Sequence, residues 1–258
     1  MTVQATHSHL VRSLKRVAFM GLLAGALHAS AQTEVPAYNP YPSAPYTVGN
    51  GGLSSDAVDY LNDKLKGKYR FQLRPIPRER LNQTVINDAG FKGVVLFSSP
   101  AFVDDAGRKK FHWSPGALPD AGLVVSTKKL SVEYTGPDSL KGLRFGGVLG
   151  NKYTGLEERF DKDIPRENSN SEYNNLMKVA NNRVDVTIMG QNTYLYYVKT
   201  EAALAGKVHV SAGHHASFNR HLFCANADVE LAKAVDGVVA GMKNDPAWKA
   251  ILVRYGID

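Results

Sequence analysis

The sequence is poor in cysteine, and this excludes one source of stability. Cys224 is the one cysteine among 258 residues, so no disulfide can form within the chain and a buried core must stabilise it. Its apolar neighbours Phe223 and Ala225 favour a buried, unreactive thiol. Hydrophobic residues make up 43% of the chain and charged residues 21%. This composition indicates a packed globular protein and excludes wholesale disorder.

The chain also lacks a strong charge surplus once its N-terminal segment is set aside. It has 31 basic and 24 acidic residues, but Arg12, Lys15 and Arg16 lie in an N-terminal segment without acidic residues. The remainder therefore has 28 basic residues against 24 acidic ones, and no run rich in lysine and arginine. Nucleic acid is accordingly not an expected partner.

No apolar run is long enough to cross a membrane. The longest, residues 17–27, follows the three basic residues and precedes Ala29-Ser30-Ala31, the pattern of a signal peptide with its cleavage site. We therefore predict a signal peptide over residues 1–31, cleavage after Ala31 and a periplasmic protein that starts at Gln32. A membrane anchor is the alternative. A lipoprotein anchor is excluded because no cysteine follows the apolar run.

Strand and helix patterns alternate along the rest of the chain. Period-two alternation predicts a strand over residues 69–76, and continuous apolar runs predict strands over residues 93–97 and 122–127. Helices are predicted after Ser55, after Pro77, around Glu157 and Glu158, after a capping Asp228, and after Pro246. This alternation indicates an α/β fold.

The stretch from residue 139 to 190 carries the clearest functional signal. A short apolar strand ends at Gly150, and after a helix a second apolar strand ends at Gly190. Because open α/β sheets bind ligands where their strands end, these two loops favour a ligand-binding lobe over a structural module.

Short motifs in a fixed order along the mature chain resemble one family. They are Gly51-Gly52-Leu53, Trp113-Ser114-Pro115, Leu123-Val124-Val125, Leu140-Lys141-Gly142, Arg183-Val184-Asp185, Trp248 with Ile251, and Arg254-Tyr255-Gly256. With the export signal, nearly the whole mature chain resembles the type 2 periplasmic solute-binding proteins of bacterial ABC transporters, in their amino-acid-type family 3.

The resemblance implies an α/β fold of two lobes joined by two crossover hinge strands. Lobe one is expected over residues 32–124 and 211–258, and lobe two over residues 125–210. The implied function is capture of a small polar solute, amino-acid-like or an organic anion, in the cleft, which closes by a hinge motion. The implied partner is an inner-membrane ABC permease. We expect a monomer without cofactor or metal, and no enzyme.

The expected ligand contacts come from both lobes. Members that bind α-amino acids place an arginine just before the aromatic-Ser-x-Pro element, and here Arg108 lies one residue closer to it than usual. A solvated charge is the alternative for Arg108. The other expected contacts are Tyr38, Tyr41, Phe97, Ser98, Ser99, Gly150, Asn151, Lys152, Gly190 and Gln191. Ser98 and Ser99 alternatively form an ordinary turn, and Lys152 alternatively points to solvent.

Two positions depart from the family pattern. Asn151 and Lys152 stand where the family has small hydroxyl residues, which makes an acidic ligand conceivable. Gly190 stands where members commonly have the carboxylate that holds a ligand ammonium group. The sequence therefore argues against the default α-amino-acid ligand.

Alternative functions remain open. A few proteins with this fold are exported lyases resembling cyclohexadienyl dehydratases, for which His112 and Glu157 would be acid–base candidates. A ligand-sensing partner of a membrane receptor is a third possibility. His209, His214, His215 and His221 have no spacing typical of a zinc motif, so polar or hinge roles are favoured over metal binding.

Overall fold

The computed structural model describes residues 32–88 and 90–257. The signal peptide and its cleavage site lie outside these residues and stay predictions. The strands are β1 (Thr33–Asn39), β2 (Tyr69–Pro75), β3 (Val94–Ser98), β4 (Phe111–Trp113), β5 (Leu118–Thr127), β6 (Phe145–Val148), β7 (Arg166–Ser169), β8 (Val186–Gly190) and β9 (Val208–Ala225). The helices are α1 (Leu53–Lys64), α2 (Arg78–Leu81), α3 (Glu172–Ala180), α4 (Gln191–Thr200), α5 (Val229–Met242) and α6 (Pro246–Arg254).

The strands form two half-sheets joined through β5 and β9. The strand order is β2-β1-β3-β9-β5-β8-β6-β7, and β4 pairs with β9. The long β9 pairs antiparallel with β3 and β4 near its C-terminal end and with β5 over residues 208–220. We call the elements packed on β1, β2, β3 and β4 the first lobe, and those packed on β6, β7 and β8 the second lobe.

Each lobe has its own buried core. In the first lobe α1, α5 and α6 bury residues such as Leu61, Val235 and Trp248 with Leu96. In the second lobe Phe145 and Ile188 pack with Val124. β5 contributes Leu118 to the first core and Val124 to the second, so both cores are built partly on the strand that contains the predicted lobe boundary 124/125. The other predicted boundary, 210/211, falls in β9. The boundaries themselves stay a prediction.

Several element ends follow local chemistry, and two differ from expectation. Pro246 begins α6 as predicted, and the side chain of Asp245 caps it by accepting from Ala247 N at 2.8 Å. Asp228 does precede α5, but its side chain makes no capping hydrogen bond. The helix predicted around Glu157 and Glu158 is wrong: this segment is a series of turns. Gly155 and Asp161 have left-handed φ values of 83° and 61°, which a right-handed helix cannot contain.

Gly93, the residue before β3, has a backbone conformation and surroundings that only glycine fits. Its φ is +108°, and a Cβ at this position would lie 2.3 Å from the carbonyl oxygen of Pro36 in the neighbouring β1. Only glycine allows the two backbones to approach so closely. The approach seats the fully buried β3 between β1 and β9.

Within the described residues, no helix is long and apolar enough to span a membrane.

Candidate functional site

The main cavity lies between the lobes, against the strands that join them. Its volume is about 200 Å³. The first lobe contributes Tyr41, Arg78, Ser99, Ala101 and Phe102, the joining strands contribute Gly122, residues 215–218 and Arg220, and the second lobe contributes residues 151–154, Glu172 and residues 188–190. The walls are largely aromatic and aliphatic with a few polar groups, as in sites for small solutes.

Arg220 forms the floor of the cavity and is held from several sides. Its Nε donates to Asp120 Oδ2 at 2.5 Å and its Nη1 donates to the carbonyl of Phe97 at 3.0 Å. The Tyr41 and Tyr46 rings lie 4.8 and 4.7 Å from the guanidinium carbon, close enough for cation–π attraction. Both members of the ion pair are buried, so the charge of Arg220 is already compensated within the protein.

The backbone at Phe97 is strained in a way that serves this contact. Phe97 has φ of 56° at the end of β3, although its side chain is large and fully buried. Such left-handed geometry costs free energy for a bulky residue and persists only where its surroundings impose it. Here it aims the Phe97 carbonyl at Arg220.

Arg78 differs from Arg220 because its charge has no counterpart. It is 5% exposed, at the first position of α2, and its Nη2 donates to the carbonyl of Phe102 at 2.7 Å. Among residues 32–88 and 90–257 its buried Nε has no hydrogen-bond partner, and the guanidinium forms no ion pair. Burial lowers the pKa of Arg78, but arginine stays protonated in proteins. The cleft therefore contains an uncompensated buried positive charge.

Tyr41 lies next to Arg78 on the cavity wall. Its ring packs against Tyr46, with centroids 4.9 Å apart. Its buried hydroxyl also has no hydrogen-bond partner in the part of the chain that the structure describes. Tyr41 opposes the effect of burial on the pKa of Arg78, so the hydroxyl and the guanidinium lie together and can bind the same polar group of a ligand.

The second lobe contributes a carboxyl group, that of Glu172, to the same cavity as Arg78 and Tyr41. Glu172 begins α3 directly after Ser171, whose hydroxyl caps the helix by accepting from Asn174 N at 3.1 Å. Glu172 Oε1 accepts from Gly190 N at 3.1 Å, and burial raises the pKa of its carboxyl. The acidic group that the sequence lacks at position 190 thus reaches this place from another element.

Several polar contacts join the lobes around the cavity. Asn82 Nδ2 donates to the carbonyl of Gly150 at 2.8 Å, and Lys152 forms an ion pair with Asp104. Ala44 N donates to the Tyr197 hydroxyl at 3.0 Å. Gly150 has φ of +78°, and a Cβ there would lie 2.9 Å from Glu79 Cα, so glycine is needed where this loop meets the first lobe.

The solved structures that are similar to this chain share one architecture. No family model matches the chain, and no curated protein matches it. Among solved structures, an ancestral arginine-binding protein bound to arginine has 17% identity and a TM-score of 0.69, over 87% of this chain and 98% of that one. The glutamate-bound ligand-binding core of GluR0 from Nostoc punctiforme has 14% identity and a TM-score of 0.69, over 86% and 98%. The chain has the two-lobed fold of the type 2 periplasmic solute-binding proteins.

The predicted α/β fold with two lobes is thereby confirmed. Another neighbour with this binding-protein fold is an ancestral amino-acid-binding protein described as a precursor of cyclohexadienyl dehydratase, with 15% identity and a TM-score of 0.66 over 86% of this chain and 95% of that one. Identities of this size establish the fold alone, so the ligand must be argued from the residues in this cleft.

The binding-protein fold brings five of the predicted contacts together in the cavity. They are Tyr41, Ser99, Asn151, Lys152 and Gly190. Gly150 lies beside the cavity, packed on Glu79. Gln191 begins α4 and lines a different cavity behind β5.

The other four predicted contacts lie elsewhere. Tyr38 packs against the apolar cluster around Phe91 and Phe111. Phe97 and Ser98 are fully buried at the end of β3, where only the Phe97 carbonyl faces the cleft residues. Arg108 is exposed, and its Nη2 lies 3.2 Å from His221 Nε2 rather than in the main cavity.

Sequence reasoning missed the three charged residues that dominate the cavity. Arg78 follows Pro77, between the end of β2 and the start of α2. This position could have been recognised in the sequence, because ligands of α/β proteins bind at the edge of the sheet where strands end and helices begin. Arg220 and Glu172 had no comparable signal. Their positions depend on the pairing of β5 with β9 and on the packing of α3 beside β8.

His221 links the exposed Arg108 to the core and predicts a pH dependence. The Nδ1 atom of His221 lies 2.8 Å from the carbonyl oxygen of Ser114. Burial lowers the pKa of His221 below 6.5, and the positive charge of Arg108 lowers it further. The unfolded chain then binds a proton on His221 at a higher pH than the folded protein. We expect the free energy of unfolding to fall as the pH drops below about 6.5.

The measurement is chemical unfolding between pH 5 and pH 7.5 for the natural protein and for His221→Gln. The variant should show a shallower fall on acidification. His214→Gln is the control, because His214 belongs to the same strand and its ring makes no hydrogen bond to the described residues. Equal slopes for the natural protein and His221→Gln would refute the role of His221.

Proposed function

We propose that the protein is a periplasmic solute-binding protein that captures a small solute with an anionic group in the interlobe cleft. The observation that carries this proposal is the buried, unpaired guanidinium of Arg78. A buried charge without a partner is strongly unfavourable, so a ligand carboxylate that pairs with it gains binding energy. Tyr41 offers a hydroxyl to the same group.

A second charged residue of the cleft, Glu172, restricts the class of solute further. Glu172 faces the cavity from the second lobe and accepts a hydrogen bond from Gly190 N. A ligand ammonium group beside Glu172 would stabilise its ionised form and offset the effect of burial. A zwitterionic, amino-acid-like solute therefore fits both ends of the cavity, with its carboxylate at Arg78 and its ammonium at Glu172.

The fold supports a role in delivery to a membrane partner. Two lobes that close on a solute present a different surface in the open and closed states. We propose an inner-membrane ABC permease as the partner, a periplasmic location after cleavage of the signal peptide, and a monomer. Presentation of the liganded state to a membrane receptor is the alternative, and crosslinking in cells would identify which membrane protein the chain contacts.

Ligand-induced thermal stabilisation tests the proposal. Purified protein is melted with amino acids, organic acids, polyamines and sugars, each at high concentration. Zwitterions or anions should raise the melting temperature, with a stabilisation of about 2.7 kcal/mol at one hundred times the dissociation constant. Stabilisation by polyamines or sugars alone, or by no compound of the panel, would contradict the proposal.

The raised pKa of Glu172 favours an enzyme as the second candidate. Burial raises the pKa of the Glu172 carboxyl, and a carboxyl with a raised pKa in a cleft is a candidate general acid. If the protein is an exported lyase, it should turn over prephenate or arogenate, and Glu172→Gln should abolish that turnover. Under the first proposal neither compound is consumed.

A further inference from the structure

A second cavity adjoins the first and shares two of its wall residues. Its volume is about 460 Å³, larger than that of the main cavity, and both cavities are lined by Tyr41 and Arg78. Sites for small ligands usually have volumes of about 300–1,000 Å³. The main cavity alone, at about 200 Å³, falls below this range, whereas both cavities together fall within it.

The surface of the second cavity is mainly apolar, and Asn39, Thr47, Arg78, Glu79 and Asn170 add polar groups to its wall. It is lined by Pro42, Pro75, Ile76, Pro77 and Leu149. Leu149, which comes from the second lobe, is 46% exposed. Proline side chains lose little entropy when a ligand packs on them. Such a surface suits an aliphatic or aromatic group.

The polar side chains of this cavity are largely engaged. Asn39 Oδ1 accepts from Tyr41 N at 3.1 Å, and Thr47 Oγ1 donates to the carbonyl of Tyr41 at 2.8 Å. Glu79 accepts from Gln83 Nε2 at 3.2 Å. Asn39 and Thr47 thereby hold Tyr41 in place. Tyr41 and Arg78 line both cavities, and we call these two residues the partition between the cavities. Within residues 32–88 and 90–257, the Arg78 Nε and the Tyr41 hydroxyl there have no hydrogen-bond partner.

The partition decides what length of ligand fits. A single α-amino acid, whose ammonium and carboxylate are on the same carbon atom, ends at the partition when its carboxylate binds Arg78 and leaves the second cavity unused. In a dipeptide the carboxylate belongs to the second residue. When that carboxylate binds Arg78, the first residue of the dipeptide fills the main cavity. The side chain of the second residue can then enter the second cavity and pack on Leu149.

We propose that the solute is a short peptide, of dipeptide size, whose N-terminal ammonium lies at Glu172, whose carboxylate binds Arg78 and Tyr41, and whose apolar C-terminal side chain fills the second cavity. This inference rests on the proposed function and names its substrate class. It assigns a binding role to Ile76 and Leu149, which do not line the main cavity.

The test compares free amino acids with dipeptides by calorimetric titration. The probes are alanine, leucine, phenylalanine, arginine, alanyl-leucine, alanyl-phenylalanine and alanyl-lysine. At least one dipeptide with an apolar C-terminal residue should bind about ten times more tightly than any of the free amino acids. Alanyl-lysine should bind more weakly than alanyl-leucine, because most of the surface of the second cavity is apolar and the Glu79 carboxylate in its wall already accepts from Gln83. Equal binding of the two dipeptides would contradict the assignment of an apolar side chain to this cavity.

A variant that fills the second cavity separates the two parts of the ligand. Leu149→Trp should weaken dipeptide binding at least tenfold and leave the binding of free amino acids unchanged. Leu130→Trp is the matched control, because Leu130 is similarly exposed, at 43%, and lines neither cavity. It should change neither affinity.

The outcomes distinguish this inference from the function on which it rests. Free amino acids that bind as tightly as the dipeptides, or a Leu149→Trp variant that loses both equally, would overturn the peptide assignment and leave a solute-binding protein. If anions and zwitterions of every size fail to bind, the proposed function fails with it.

Discussion

Replacing Arg78 with Gln is expected to weaken binding of the best-bound solute by roughly 10- to 150-fold, from the loss of a charge-assisted hydrogen bond of about 1.5–3 kcal/mol. In the ligand-free protein the same change removes an unpaired buried charge. The melting temperature without ligand should therefore stay constant or rise. Loss of affinity together with gain of stability is typical of a residue kept for binding.

Two other arginines serve as controls for this prediction. Arg80 lies two residues further along α2 and is exposed, so Arg80→Gln should leave the affinity unchanged. Arg108→Gln tests the anchor expected from the sequence. If Arg108→Gln abolishes binding and Arg78→Gln does not, Arg78 is not the residue that anchors the ligand.

Replacing Asp120 with Ala is expected to lower the free energy of unfolding by about 3–5 kcal/mol, because it leaves Arg220 buried without its partner. Asp120 Oδ1 also accepts from Ala121 N at 2.9 Å and from Asn192 N at 3.2 Å. Its carboxylate therefore connects β5, β9 and the start of α4. Thermal unfolding should show a fall in melting temperature on the order of 10 °C for a chain of this size.

The control for this prediction is an ion pair at the surface. Asp138 pairs with Arg159 at 2.8 Å, but its side chain is 94% exposed, so Asp138→Ala should change stability little. The double variant Asp120→Leu with Arg220→Met should recover part of the loss, because it leaves neither charge of this pair without its partner. An Asp120→Ala variant as stable as Asp138→Ala would show that the buried pair is not a main stabilising contact.

The sequence predicted the elements well where the signal was local. The continuous apolar run before Ser98 becomes the buried β3, and Pro246 begins α6. These features depend on neighbouring residues. The helix expected around Glu157 does not form although Leu156 and Ile164 are buried, because Gly155 and Asp161 on either side adopt left-handed φ values that interrupt a right-handed helix.

The candidate site was less predictable because its parts are distant in the sequence. Asp120 and Arg220 are 100 residues apart, and only the pairing of β5 with β9 brings them together. Glu172 reaches the place of a missing carboxylate through the packing of α3 against β8. In the sequence, both Lys152 and Gly190 depart from the pattern of members that bind α-amino acids. In the structure, Glu172 places a carboxyl beside Gly190, which only the tertiary packing reveals.

Native mass spectrometry of the natural protein and Arg78→Gln, purified in parallel from the cells that produce them, tests the central claim most directly. The natural protein should carry a bound anionic or zwitterionic solute, and Arg78→Gln should carry none or much less. The same solute at equal occupancy in both proteins would contradict the claim that the unpaired charge of Arg78 holds the ligand.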